Sequence, residues 1–566
     1  MRTLLNAPLT RLLPLVTLIA ILFSRGLTDP EIGWPDADRI LMDGLFIHDF
    51  LGDLQPGKLL EPTFFRDAYQ YAIGYFAQYP ALSLGSRPPF FPFIEALFFF
   101  LFGIHDWSAK LALLLFVPIA LWAWYDLVSR THDRTSAFCS SAILFTSPFI
   151  VEWGWYPMLE IPVLAMTLVT ANLFWRYVSS GKPTWLYLAA MAFSLALWTK
   201  QTALFMLLWI PAWLVITRQA KSILNQRSTW LALGLALLLT LPLAVITIWM
   251  GKTNLTLAFQ GVTTTQQQSL WWQWDHLRQY LDILVHHQIT QPVQWLALAG
   301  FILTLVRRNR ADLFYLLLIL STYLFFTALH SYRIDRYTIF WVPAFAWLAA
   351  LPFHHFRERT LTRNTGWVIL ILLVAWQSRQ TWLKQPGFSR GYEQAVELAM
   401  RHSASGRIFM DGVNNGYFTY YVRLRDADRR FHILRGDKLL HASSVFAEHW
   451  TEVHVNDLDG IRATLDRHGI DILVIEERNY AQLAIHRLLR DYVEGPEFER
   501  LATIPITSSR SQLTGQELRV YRYKHPKPPA RERFSISVPL VGKRFEAPVT
   551  PDQDLLPPTR KGGTQN

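Results

Sequence analysis

Apolar residues along this chain fall into blocks. Up to about residue 380, apolar runs near the length of a bilayer-spanning helix, roughly 20 residues, alternate with short polar turns. They lie near 9–24, 108–129, 135–151, 159–178, 184–199, 202–217, 229–250, 292–306, 311–329, 337–353 and 364–379. One more stretch, Pro88 to Phe102, is apolar and aromatic but short. Beyond 380 the period changes. Tyr392–His402 and Leu458–His468 have the spacing of amphipathic helices, while Arg407–Asp411, Asp471–Glu476 and Glu517–Tyr523 have that of strands. From about Pro526 the chain is Pro-rich and charged, a composition that predicts disorder.

Charge decides how the runs lie across a membrane. If Pro88–Phe102 rests at the outer interface without spanning, the inner turns carry Arg130, Arg134, Arg176, Lys182, Arg218, Lys221, Arg227, Arg307, Arg308, Arg310, Arg357, Arg359 and Arg363. The outer connections then hold only Lys110, Lys200, Lys252, Arg278, Arg333 and Arg336. That is the excess of cations expected on the cytoplasmic side. Letting the stretch span would invert the bias at every later turn. The expected fold is therefore a polytopic α-helical membrane protein with about eleven spans, one interfacial juxtamembrane helix and a small C-terminal soluble α/β domain. The N-terminus is placed in the cytoplasm. The first run is followed by Phe-Ser-Arg-Gly, with no small-residue cleavage site, and is read as an uncleaved anchor. The membrane unit covers 1–380, with long outer loops at 25–107 and 251–291. The soluble unit covers 381–525, outside an inner membrane, and the tail covers 526–566.

Composition agrees. Charged residues are 17% of the chain, against about 25% in soluble domains. The 23 Trp suit membrane interfaces. The formal charge of +11 belongs to the turns, so nucleic acid is not expected as a partner. A single cysteine, Cys139, excludes an internal disulfide.

Several outer positions carry candidate chemistry. Asp36 and Asp38 follow the first span, where paired carboxylates can serve as a general base or hold a divalent cation, or simply start a helix. Arg87 can grip a phosphate or reach to lipid headgroups. The loop Val-Glu-Trp-Gly-Trp-Tyr-Pro-Met-Leu-Glu (151–160) combines acids with rings, as carbohydrate sites do, and Trp155 and Tyr156 are its sugar- or acceptor-binding candidates. Glu160 opens an apolar run, where an ionisable group is costly and marks a site. Lys200 and the segment His330–Tyr337, with Arg333 and Arg336, place cations on the outer side against the general bias, which phosphate binding would explain and snorkelling would also allow. His286 and His287 are read as surface residues before metal ligands. Asn254-Leu255-Thr256 fits a glycosylation sequon.

The order of five blocks resembles the GT-C glycosyltransferases, in the branch of protein O-mannosyltransferases and aminoarabinose lipid A transferases. The blocks are WPDADR, RPPFFPFIEALFFFLFG, YPMLEIP, LWTKQTA and RYTIFWVPAFAWLAA. The resemblance spans roughly residues 10–380. It implies transfer of a sugar from a polyprenyl-phosphate donor to a lipid, glycan or protein acceptor at the outer membrane face. It implies Asp36 as general base, Glu160 as second acid, and Arg87, Lys200 and Arg336 around the donor phosphate, with Asp38 close enough to assist. Ser86 stands where aminoarabinose-type relatives have a metal-binding Glu, so a divalent cation, with Asp36 and Glu160 as its ligands, is left open. The competing readings are a flippase for lipid-linked sugars and a scaffold subunit without catalysis. Charges at outer helix ends and the soluble unit favour the enzyme.

Overall fold

The computed structural model describes residues 9–27, 33–34, 36–83, 85, 87–250, 274–307, 309–329, 334–355, 360–412, 414–443, 451–477, 483–529, 533–538 and 543–548. Asp106–Thr131, Glu160–Ser180, Arg227–Met250 and Arg310–Ala328 are long and apolar enough to cross a membrane. Shorter helices form over other apolar runs, including Leu9–Ser24 (α1), Pro183–Thr199, Gln291–Arg307 and Val342–His355, and a 24-residue helix forms over Thr360–Leu383. The run expected as one span at 135–151 breaks into Arg134–Phe145 and Pro148–Trp153. Pro148 has no N–H to continue the first helix, and its fixed φ suits the first turn of the next.

The segment after α1 folds into three helices, Ala37–Asp53 (α2), Phe64–Gln78 (α3) and Phe90–Phe102 (α4). At about 1.5 Å per residue α4 is about 20 Å long, short of the roughly 30 Å hydrocarbon core. It packs on α2, where Gly44 leaves room for Glu95: a Cβ on Gly44 would stand 2.9 Å from the Glu95 carboxyl.

Residues 407–523 build a five-stranded sheet from Arg407–Asp411 (β1), His432–Arg435 (β2), Ile472–Glu476 (β3), Phe498–Pro505 (β4) and Glu517–Tyr523 (β5). The order is β2-β1-β3-β5-β4, with the first three parallel and the last two antiparallel. β1 and β3 are buried along their whole length, as expected of strands covered on both faces. The helices Tyr392–His402 and Leu458–His468 form where the periodicity places them.

The expectation of disorder over 526–566 is corrected in part: Arg533–Val538 (β6) and Lys543–Pro548 (β7) pair as an antiparallel hairpin. Phe545 is buried there beside Phe76 of α3, at 6.5 Å between rings. The alternation in Arg-Phe-Ser-Ile-Ser-Val favours a strand despite the polar composition around it.

The sheet unit is bolted to α2 and α3 by charge. Arg423 holds Asp49 with two hydrogen bonds of 2.8 and 2.6 Å, and Tyr75 donates to the same carboxylate. Arg429 grips Asp53 in the same two-pronged way, at 2.5 and 2.8 Å. Tyr79 donates to Asp426, and Gln78 to the carbonyls of Arg429 and Phe431.

Candidate functional site

Asp36 stands just before α2. Its Oδ1 accepts from Arg87 Nη2 at 2.9 Å and its Oδ2 from Arg336 Nη2 at 2.7 Å. Glu160 is the first residue of the helix Glu160–Ser180 (α5) and is buried. Its Oε1 accepts from Lys200 Nζ at 2.7 Å and lies 3.7 Å from Arg336 Nε. Lys200 reaches it from the extended residue that closes Pro183–Thr199. The charges thus alternate as Arg87, Asp36, Arg336, Glu160, Lys200, drawn from five separate parts of the sequence. All five were candidates from the sequence.

An aromatic wall surrounds this row. The Arg336 guanidinium lies 5.8 Å from the Trp34 ring, 5.9 Å from Trp153 and 5.7 Å from Tyr337, and Lys200 lies 5.1 Å from Tyr337. Trp34 meets Trp153 edge-on at 5.1 Å. Rings facing a cation favour it electrostatically, yet offer no hydrogen-bond acceptor in the usual sense. Among the described residues, Arg336 Nε and Nη1 and Glu160 Oε2 are buried without a hydrogen-bond partner. Such groups are costly to leave unpaired. A planar guanidinium with two open donors suits an oxyanion.

Arg336 is aimed by a residue the sequence reading missed. Gln288, buried in the turn after Trp274–Ile283, donates to the carbonyl of Asp335 at 2.5 Å and to Thr338 Oγ1 at 2.8 Å, and accepts from the Trp341 indole at 2.5 Å. It ties down the short turn Asp335–Trp341 that carries Arg336. Only a Gln-rich loop marked it in sequence.

The structure places Trp155 away from the charged row. Its indole N–H donates to the Leu22 carbonyl at 2.9 Å, and the ring is buried under α1. Trp153 and Tyr156, three apart, come to one side of the loop, and Trp155 turns to the other. Tyr156 does join the wall, 6.0 Å from Trp34, and its hydroxyl accepts from the Gly387 N–H at 2.9 Å. Trp34, Trp153 and Tyr337 complete the set. His286 and His287 are exposed. Ser86, His330–Arg333 and the sequon at Asn254 lie outside the described residues.

Asp38 is a separate case. It is 3% exposed, and its Oδ1 accepts from the Arg39 N–H at 2.6 Å. The helix Asn415–Arg425 (α6) of the sheet unit passes over it. A Cβ on Gly416 would stand 2.0 Å from Asp38 Oδ2, so only glycine permits this approach. The Tyr417 hydroxyl donates to the Trp34 carbonyl next door. Burial, helped by the Asp36 charge, pushes the Asp38 carboxyl up to about 7. For Asp36 burial acts in the same direction, but the Arg87 and Arg336 charges outweigh it and hold the carboxyl well below the usual range.

Both Asp36 oxygens face Arg87 and Arg336, and Glu160 Oε1 faces Lys200, while Glu160 Oε2 is open; no group of three or more His, Cys, Asp or Glu that could hold a metal occurs among the described residues.

Compared with known proteins, the chain is similar at two levels. Residues 86–246 match the family model described as dolichyl-phosphate-mannose-protein mannosyltransferase. The structure superposes on ArnT from Cupriavidus metallidurans bound to undecaprenyl phosphate, with a TM-score of 0.58 at 13% identity, over 90% of this chain and 100% of that one. The chain has the fold of the GT-C membrane glycosyltransferases. The apo form of the same ArnT matches with a TM-score of 0.59 at 13% identity, over 93% of this chain and 100% of that one. The archaeal oligosaccharyltransferase AglB from Archaeoglobus fulgidus, in complex with an inhibitory peptide and a dolichol-phosphate, matches with a TM-score of 0.50 at 10% identity, over 82% of this chain and 69% of its own. No curated protein matches in sequence.

Proposed function

We propose that this chain is a glycosyltransferase that moves a sugar from a polyprenyl-phosphate donor to an acceptor at the outer face of an inner membrane. The observation that carries the reading is Arg336: a buried guanidinium with two open N–H donors, set between two carboxylates and beside Arg87 and Lys200. A lipid-borne phosphate supplies the oxygens it lacks. The solved ArnT with undecaprenyl phosphate and AglB with dolichol-phosphate bind this class of lipid.

The topology proposed is about eleven spans, with α4 at the outer interface and the sheet unit outside. Its support is convergence. Asp36, Arg87, Glu160, Lys200 and Arg336 meet in one cluster, which requires their connections to share a side of the membrane. At the opposite ends of the helices Arg130 and Arg176 share Asp126, at 2.7 Å each, as inner-side cations would.

In the proposed step the acceptor oxygen attacks the anomeric carbon, and the bond from that carbon to the phosphate oxygen breaks. The electron pair stays on the phosphate, where Arg87, Arg336 and Lys200 stabilise it. The acceptor proton goes to Asp36. With the site empty Asp36 is a weak base, because each of its oxygens is bonded to a guanidinium. Donor phosphate competes for those guanidiniums and raises its basicity. A single displacement inverts the anomeric centre. A second reading gives the proton to Asp38, whose carboxyl near 7 is well matched to general-base work at neutral pH.

The test is transfer of radiolabelled sugar from a panel of polyprenyl-phosphate donors, in membranes holding wild type, Asp36→Asn or Asp38→Asn. Loss in the first variant alone supports Asp36 as the base, and loss in the second alone moves that role to Asp38. No transfer by wild type from any donor would count against the enzyme and for the flippase.

A further inference from the structure

Arg87 is carried by a turn whose two legs are both fixed to α2, at neighbouring residues. The chain runs from Pro80 toward Arg87, bends at Pro88-Pro89 and returns as α4. On the way out, the Ser83 N–H donates to Asp43 Oδ1 at 2.8 Å. At the bend, Arg87 grips the start of α2 twice. It donates to the Asp36 carbonyl at 3.2 Å and to Asp36 Oδ1 at 2.9 Å. On the return, Glu95 of α4 seats on Gly44. One turn further along α2, the His48 ring lies 4.2 Å from that of Phe100, so α4 follows α2 in the same direction. Asp43 and Gly44 thus hold the two legs at one level of α2, and Arg87 stands near its start.

This arrangement has little slack. Seven residues separate Asp36 from Asp43, a helical rise of about 10 Å. The four residues from Ser83 to Arg87 reach at most about 14 Å. Fixing Ser83 therefore limits how far the Arg87 backbone can move. Two consecutive prolines stiffen the bend, because each ring fixes φ near about −65°. Gly85, halfway along the first leg, has a φ of +78° and packs on the Met250 end of the helix Arg227–Met250. A Cβ there would stand 3.2 Å from Ile246 and from Met250. Pro80, where the leg begins, accepts through its carbonyl from Arg435 of the sheet unit. Between these points, the Ser83–Asp43 bond ties the leg to α2.

Asp43 is a costly residue in this place. It is half-buried and makes no ion pair among the described residues. Burial pushes its carboxyl up to about 6, although the Ser83 bond and the Arg87 and Arg39 charges pull the other way. A helix that needed only packing here would be served better by an apolar side chain.

We propose that Asp43 is a positioning residue: by holding the Ser83 N–H it fixes the first leg of the turn, and so sets where Arg87 meets Asp36 and the donor phosphate. The donor in this statement rests on the glycosyltransferase reading, but the hold on Arg87 is testable without it.

The test uses the full-length protein in phosphatidylcholine nanodiscs, with two variants that separate length from charge. Asp43→Asn keeps an acceptor oxygen at the same reach and removes the charge. Asp43→Glu keeps the charge and lengthens the arm by one methylene. Undecaprenyl phosphate is titrated below the unfolding midpoint of each protein, and the apparent Kd is read. Asp43→Asn should bind like wild type. Asp43→Glu should bind about tenfold more weakly, the scale of one misplaced charged hydrogen bond. That loss should vanish when Arg87→Gln is already present, because the arm acts only through Arg87. A role confined to stability would lower the midpoint and leave Kd unchanged. Equal binding by all three proteins, a loss in Asp43→Asn as large as or larger than that in Asp43→Glu, or a loss that adds to that of Arg87→Gln would each overturn the proposal. If undecaprenyl phosphate binds none of the proteins, the glycosyltransferase reading fails instead, and Asp43 is judged in the empty protein. There the change in midpoint caused by Arg87→Gln, which breaks the pair with Asp36, should match in wild type and Asp43→Asn and be smaller in Asp43→Glu. The same change in all three would overturn the positioning role.

Discussion

Two regions of this molecule are built from the same side chains, carboxylates and arginines, and they differ in completeness. Where the sheet unit meets α2 and α3, the pairs made by Asp49 and Asp53 are closed. Asp49 takes two bonds from Arg423 and one from Tyr75, and Asp53 takes two from Arg429 and one from Tyr71. In the row from Arg87 to Lys200 the pairs are open. Arg336 has two idle donors, Glu160 one idle oxygen, and the neighbours are rings. A closed pair holds two surfaces together and offers nothing to a ligand. An open one is costly in the empty protein and is made good by a ligand of the missing charge. The counting of unmet hydrogen bonds separates scaffold from site here where residue type does not.

The comparison can be broken at either region. The largest effect is expected from Asp36→Asn, which should lower sugar transfer roughly 100- to 10,000-fold, the usual contribution of a general base, with the thermal midpoint little changed. Arg423→Met should do the reverse. Breaking a buried pair costs about 3–5 kcal/mol, read as a lower unfolding midpoint. Arg336→Gln should weaken undecaprenyl phosphate binding roughly 10- to 100-fold, since hydrogen bonds to a charged group contribute about 1.5–3 kcal/mol each. Gln288→Leu should cut kcat/KM by about tenfold through misaimed Arg336, on the scale of about 1–3 kcal/mol for stranded polar partners. If Arg423→Met proved silent and Gln288→Leu unfolded the protein, the division between closed and open regions would be wrong.

A pH-dependent effect sharpens the picture at Asp38, which lies between the two regions. Its folded carboxyl is raised to about 7, against about 3.9 in an unfolded chain. Between those values the folded state binds more protons, so this group's contribution to stability falls as pH rises from about 4 to about 7. Asp38→Asn should flatten that slope and raise the midpoint above pH 7, measured by thermal unfolding across a pH series.

The sequence reading named all five charged residues of the alternating row: Asp36 from a pair of carboxylates, Arg87 from the start of the aromatic stretch, and Glu160, Lys200 and Arg336 from the ends of apolar runs, where charge is unusual. It chose Trp155 in place of Trp153 because a loop has no period to say which ring turns inward. It missed Gln288, whose three partners lie about fifty residues downstream. The tail was read from average composition, and the local alternation that pairs β6 with β7 was lost in that average.

What the amino-acid order determined by itself was local: where apolar runs make helices, where alternation makes strands, and which connections carry unusual charge. These follow from short-range sterics and from burial of apolar surface, which depend on neighbours in the chain. The tertiary structure decided what depends on distance through space. It set Arg87 and Arg336 on the two oxygens of Asp36, laid Gly416 over Asp38, and left Arg336 short of partners. Hydrogen bonds and charge pairs act over a few ångströms, and only folding settles which groups come that close.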